Sequence, residues 1–223
     1  MDIMTDDVVV VGGRCAGAPT AMLLARAGLS VRLLERSARL GDVVSGHLIK
    51  PAGVARLRRW KVLDAVLATG CPRLDDRVLW LGGQPHRPPA PEPGADAIAP
   101  RRTVLDPILL TAAAYAGATV EMGVSVHGLL RQGGQVTGVA TSAGERRARL
   151  VIGADGRNSR VARLAGAKTY HDRAGPPWPH RRDPRRDRRR GPATKTSAGV
   201  SPAVRSAARL WCPAAACRHR AGR

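Results

Sequence analysis

The stretch from Val8 to Glu35 constrains this chain more than any other. Val8-Val9-Val10-Val11 is an unbroken β-branched run, which predicts a strand covered on both faces in a parallel sheet. It stops at Gly12-Gly13, and apolar residues at helical spacing then predict a helix from about Ala16 to Ala27, ended by Gly28. Ser30 to Leu34 predicts a second strand that ends at Glu35. Strand, glycine turn, helix, strand and acid make one βαβ unit. Its turn is a variant of G-x-G-x-x-G, with Gly12 and Gly17 in the outer positions and Arg14 where the middle glycine stands. In such a turn the first glycine permits the bend, the middle one lets backbone N–H groups reach a pyrophosphate, and the last lets helix and strand pack closely. The turn alone is weak, since a tight βα turn needs no ligand. Glu35 at the end of the second strand strengthens it, because an acid there can bind ribose hydroxyls. The residues expected to hold a dinucleotide are therefore Gly12, Gly13, Arg14, Cys15, Ala16 and Gly17, with Glu35 and Arg36. Arg14 leaves two readings open: its guanidinium adds positive charge beside the phosphates, or it is solvated and only its backbone matters.

Beyond this unit, Gly53 to Thr69 predicts one further helix, ended by Gly70, Cys71 and Pro72. Val78 to Leu81 reads as a strand, and the Pro- and Ala-rich run from Pro85 to Pro100 as a loop. Asp106 to Ala116 suits a helix with Pro107 in its first turn. Thr119–Val126, Leu129–Arg131, Gln135–Thr141 and Arg147–Ile152 are predicted strands, with Gly133-Gly134 as a hairpin turn.

Phe is absent and aromatic residues are 3% of the chain, so the core must come from Ala, Val, Leu and Ile. The formal charge of +20 raises nucleic acid as a partner, but its distribution argues otherwise. From Thr169 onward there are 14 basic residues against 3 acidic, so over half of the excess lies in the last quarter of the chain. That segment has no interleaved aromatics to stack bases, so no specific nucleic-acid partner is expected. Cys15, Cys71, Cys212 and Cys217 show neither CxxC pairing nor metal-ligand spacing. No metal site and no disulfide framework are expected, and a reducing cytoplasm is the natural compartment. The acidic start (Asp2, Asp6, Asp7) is unlike a signal peptide, and no apolar run is long enough to span a bilayer.

Four blocks, taken together, resemble the flavin-dependent monooxygenases and oxidoreductases related to para-hydroxybenzoate hydroxylase and the geranylgeranyl reductases. The first is the turn itself, with Arg-Cys-Ala-Gly at Arg14 to Gly17. The second, "SGHLIKPAGVARLRRWKVLDAVLATGCP", places Ser45 and His47 where family members line the flavin cleft. His47 is there either as a cofactor contact or as an ordinary loop histidine. The third, "RRTVLDPILL", matches an Arg-x-x-Leu-Asp element, and the resemblance puts Arg102 near the flavin. A local ion pair between Arg102 and Asp106 at the helix start is the plainer reading. The fourth, "ARLVIGADGRNSRVARLAGA", resembles the Asp-Gly motif that helps bind the FAD pyrophosphate and is implicated in NAD(P)H use. Asp155, Gly156 and Ser159 match it, whereas the arginine expected three residues after Ser159 is Ala162, with Arg163 following.

The resemblance implies an α/β fold: a Rossmann-like FAD-binding domain of the glutathione-reductase type with a partial second β-sheet. It assigns residues 1–171 to this domain. It implies FAD as cofactor, NAD(P)H as reductant and a small organic molecule as substrate, with monooxygenation as the activity. A geranylgeranyl-reductase-like flavin reductase and a non-catalytic FAD-binding fragment are the alternatives. No catalytic acid or base stands out. The later Gly-Asp element of the family is not found, and Gly94 to Asp96 fall too early, in the Pro-rich run. Residues 172–223 are rich in Arg, Pro and Ala, lack apolar periodicity and are expected to be disordered. The likeness stops abruptly after "LAGAKTYHD", and this composition suits GC-rich DNA read in a shifted frame.

Overall fold

A computed structural model describes residues 5–43, 47–74, 79–81, 84–86 and 97–169. Ser45, Val78, most of the Pro-rich run and the expected tail from Asp172 lie outside the described residues. The elements follow in the order β1 (Asp6–Val11), α1 (Gly17–Arg26), β2 (Val31–Glu35), α2 (Pro51–Arg59), α3 (Leu63–Leu67), β3 (Arg73–Leu74), β4 (Leu79–Leu81), β5 (Gln84–His86), β6 (Ala97–Ile98), α4 (Arg102–Tyr115), β7 (Thr119–Met122), β8 (Val126–Gln132), β9 (Gln135–Thr141), β10 (Gly144–Gly153) and α5 (Arg160–Leu164).

The main sheet has the order β7-β2-β1-β10-β9-β8. β7, β2, β1 and β10 run parallel, and β8, β9 and the start of β10 form an antiparallel meander. β10 belongs to both parts. Residues Gly144 to Arg147 pair with β9, and Ala148 to Gly153 pair with β1. One long strand thus joins the meander to the nucleotide-type sheet and delivers its C-terminal end beside that of β1.

The valine run shows why β1 is central. Val8 and Val10 face one cluster, with Met22 of α1, Leu33 of β2, Val66 of α3 and Leu109 of α4. Val9 and Val11 face the other, with Leu34, Val126, Val139 and Val161. Both faces are covered, so alternation of polar and apolar residues disappears. The core is built from small aliphatic residues as the composition requires, with Met22 added. A two-stranded pair, β3 with β6, and a bridge between Ile49 and Ile98 tie the segment before α2 to the start of α4.

Several sequence expectations change. The single helix from Gly53 to Thr69 is two helices, broken at Trp60–Val62. Val62 N–H donates to the Leu57 carbonyl and Lys61 N–H to that of Arg58, with Lys61 at φ 60°. This is a Schellman stop in which a lysine takes the left-handed position. Gly28 and Gly117 fill that position at the ends of α1 and α4, with φ 86° and 102°. The break was hidden because its residue is not glycine. α4 starts at Arg102, four residues before the expected position, so Pro107 lies inside it. The proline removes the N–H that would bond the Thr103 carbonyl. The Arg102–Asp106 ion pair, at i and i+4, holds the same turn from the side. Thr119 to Val126 is not one strand: the chain bends at Gly123, φ 74°, and β8 begins at Val126. The Gly133-Gly134 hairpin turn is as expected, with φ 56° and 84° in the manner of type I′. Among the described residues no helix is long and apolar enough to cross a membrane.

Candidate functional site

The C-terminal ends of β1, β2 and β10 border a cleft of about 670 Å³. This is where open parallel sheets place ligands, and the size suits a small-molecule site. At its floor the turn after β1 is packed so tightly that its glycines are obligatory. A Cβ on Gly17 would lie 1.7 Å from the Gly12 carbonyl oxygen, and one on Gly12 would lie 2.5 Å from that of Ala154. Close packing brings the positive end of the α1 dipole up to the cleft, which favours an anion there, although Ala18 N–H already bonds the Arg14 carbonyl at 2.9 Å and Thr20 N–H that of Ala16, and Pro19 has no N–H.

Glu35 is 4% exposed yet borders the cleft. Its Oε2 accepts from Gly13 N–H at 2.8 Å and its Oε1 from Ser37 N–H at 3.0 Å. The acid that the sequence assigns to ribose therefore also fixes the turn beneath it. Arg36 lines the adjacent rim.

Arg14 is settled by Asp106. Its Nη1 donates to Asp106 Oδ2 at 3.0 Å and to the Gly41 carbonyl at 3.3 Å. Arg102 donates to the same carboxylate through Nε at 2.8 Å and Nη2 at 3.0 Å. The local ion pair offered as the alternative exists, and Arg102 borders the cleft as well. The Cys15 thiol donates to Asp106 Oδ1 at 3.2 Å. Burial, and then the Asp106 hydrogen bond and charge, push that thiol up to about 11, so it is a neutral donor at physiological pH.

Asp155 and Gly156 close the opposite wall. Asp155 accepts from the Ser159 hydroxyl, from Arg160 N–H at 2.7 Å and from Val161 N–H at 3.1 Å. Ser159 in turn caps α5 by accepting from Ala162 N–H at 3.0 Å. Burial raises the Asp155 carboxyl, but the Ser159 hydroxyl and the two backbone donors outweigh it and hold the group below the ordinary range. Gly156 takes φ 89°, which lets the chain turn between β10 and α5.

Of the expected residues, Gly12, Arg14, Cys15, Ala16, Glu35, Arg36, Arg102, Asp155 and Gly156 line one cleft. Gly17 is packed behind the turn, Gly13 binds Glu35, and His47, at φ 54°, is not among the lining residues. Sequence reasoning missed Val124, Ser125 and Val126, and the cations Arg160 and Arg163. The bend after β7 brings the first three in, because Val124 N–H bonds the Glu35 carbonyl at 3.0 Å. A bend inside an expected strand gives little signal. The two arginines follow the Asp-Gly turn directly and were legible by position.

Against known families, residues 5–176 match one described as an FAD binding domain. The chain is 37% identical over 170 residues to 6-methylpretetramide 4-monooxygenase from Streptomyces rimosus, covering 72% of this chain and 40% of that protein. It is 35% identical to digeranylgeranylglycerophospholipid reductase 2 from Methanopyrus kandleri, covering 73% and 40%. The chain thus spans about 40% of the length of these curated relatives. Among solved structures, PqsL, a probable FAD-dependent monooxygenase from Pseudomonas aeruginosa, superposes with a TM-score of 0.66 at 23% identity. That likeness covers 78% of this chain and 48% of PqsL and concerns the fold.

Proposed function

The chain belongs to the FAD-binding domain family of flavin-dependent oxidoreductases, and on that premise we propose that it holds FAD in this cleft as part of an NAD(P)H-dependent monooxygenase acting on a small organic molecule. The observation that carries the placement is the convergence of Glu35, the N-terminus of α1 and the Arg14–Arg102 pair on one cleft. A pyrophosphate carries negative charge and offers only acceptors. The helix start and the cationic wall offer donors and positive charge, so the donor set fits it. Glu35, an acceptor, suits the ribose hydroxyls.

When bound, the flavin supplies the redox chemistry, taking electrons from a nicotinamide and passing them on. The residues described here bind and orient. Glu35 fixes the turn and sets the adenosine end, while Asp106 holds the Arg14 and Arg102 charges together on the cleft wall. Asp155 holds the start of α5, and Arg160 and Arg163 add positive charge at that edge of the cleft. A second reading, a reductase of isoprenoid double bonds, draws on the kinship with the Methanopyrus kandleri reductase.

The test is a spectrum. Protein reconstituted with FAD and freed of excess ligand should show flavin absorbance that bleaches when NADH or NADPH is added anaerobically. Absence of any bound flavin would overturn the proposal. Bound flavin that bleaches only with another electron donor would overturn its NAD(P)H component.

A further inference from the structure

The Asp106 carboxylate is fully buried, and both of its oxygens receive two donors. Oδ1 accepts from Arg102 Nε at 2.8 Å and the Cys15 thiol at 3.2 Å. Oδ2 accepts from Arg102 Nη2 and Arg14 Nη1, both at 3.0 Å. A carboxylate has about four acceptor sites, so this one is saturated. Two of its partners come from the phosphate turn itself, and Asp106 stands on the helix packed beside it, 92 residues from Arg14.

A glycine normally stands at the middle of such a turn because backbone must approach phosphate closely. Arginine brings a long side chain to that point. Here the side chain is drawn aside by Asp106 and by the Gly41 carbonyl, which does not line the cleft. We propose that Asp106 is the positioning residue that makes arginine compatible with this turn, tethering Arg14 clear of the phosphate seat while its charge stays on the wall. The cluster of two guanidiniums, one carboxylate and a thiol keeps a net charge of about +1 facing the cleft. The inference rests on the cleft being the seat of the FAD pyrophosphate. Its prediction is conditional: Asp106 matters to binding because residue 14 is an arginine.

The experiment is a double-mutant cycle read by FAD fluorescence quenching in D106N, R14G and R14G/D106N. D106N should weaken FAD tenfold or more in the parent protein but threefold or less in the R14G background. Equal losses in both backgrounds, or a D106N protein that binds FAD as well as the parent, would overturn the inference. If D106N does not fold, R14M and R14G carry the test, since both lack the charge and only R14M has a long untethered side chain. R14M should then bind FAD at least tenfold more weakly than R14G, and equal affinities would refute the tether.

A second readout needs no FAD. Alkylation of Cys15 by iodoacetamide, followed by peptide mass, should be several-fold faster in apo D106N, because Asp106 disfavours the thiolate. An unchanged rate means that Asp106 does not hold the turn, and the inference fails. A parent protein that takes up no FAD, with faster alkylation in D106N, instead sinks the reading of the cleft.

Discussion

Replacing Gly17 by alanine tests whether the packing behind the phosphate turn is as tight as the structure indicates. The added Cβ would lie 1.7 Å from the Gly12 carbonyl oxygen and 3.0 Å from the Gly12 carbonyl carbon. Since Cβ atoms do not approach other heavy atoms within 3.0 Å, α1 and the turn must separate by about 1.3 Å. Both sides of the clash are main chain, so no side chain can rotate away. Overpacking costs up to about 3 kcal/mol, and a rigid backbone contact belongs at that end of the range. In a domain of this size, the loss lowers the thermal midpoint by roughly 6–12 °C. Gly28→Ala is the control. Gly28 has φ 86° and nothing within 4 Å of an added Cβ, so alanine there costs only left-handed strain, about 1 kcal/mol. Thermal and urea unfolding of both variants, followed by circular dichroism, measures the difference. A Gly17→Ala protein no less stable than Gly28→Ala would refute the packing argument.

Glu35→Gln can keep the bond from Gly13 N–H through its amide oxygen but loses the one from Ser37 N–H, so it should destabilise the turn slightly and weaken FAD by roughly 1.5 kcal/mol or more through loss of a charge-assisted bond; an unchanged Kd would contradict the ribose assignment. Asp155→Ala should cost about 1 kcal/mol at pH 7 by uncapping the start of α5, a modest figure because the site is partly solvated. The folded Asp155 carboxyl titrates below its ordinary value, so its contribution is complete above about pH 4 and fades as pH falls further. The parent and Asp155→Ala unfolding curves should therefore converge in acid, and a gap that widens there would reverse the sign of the argument.

The βαβ unit was readable from residues alone because each step of Val8 to Glu35 carries its own physical signal: a β-branched run, obligatory glycines, a helical stripe and an acid at a strand end. The Asp-Gly turn was readable through its resemblance to the family motif and its place in the order of blocks, since such a turn after an apolar strand is common by itself. Arg14 was not. Whether a guanidinium at a turn points to solvent or to a partner depends on a carboxylate distant in sequence, and nothing local to Arg14 reports it. The break at Lys61 was hidden for the opposite reason, since the local stop is complete but uses a residue that ordinarily avoids φ 60°. Val124 to Val126 entered the cleft through a backbone bond to Glu35, a tertiary contact with no sequence pattern. Arg102 was ambiguous between ion pair and cleft wall, and it is both.

If this cleft takes the adenosine and pyrophosphate half of FAD, competition by fragments of the cofactor distinguishes that half from the other. FAD bound to the protein should be displaced by ADP, which carries that half, and not by riboflavin at the same concentration, which carries only the other. Recovery of FAD fluorescence on adding ADP alone is the predicted result. Displacement by riboflavin as readily as by ADP would contradict that placement, because the residues converging here would then not be the ones that hold the cofactor.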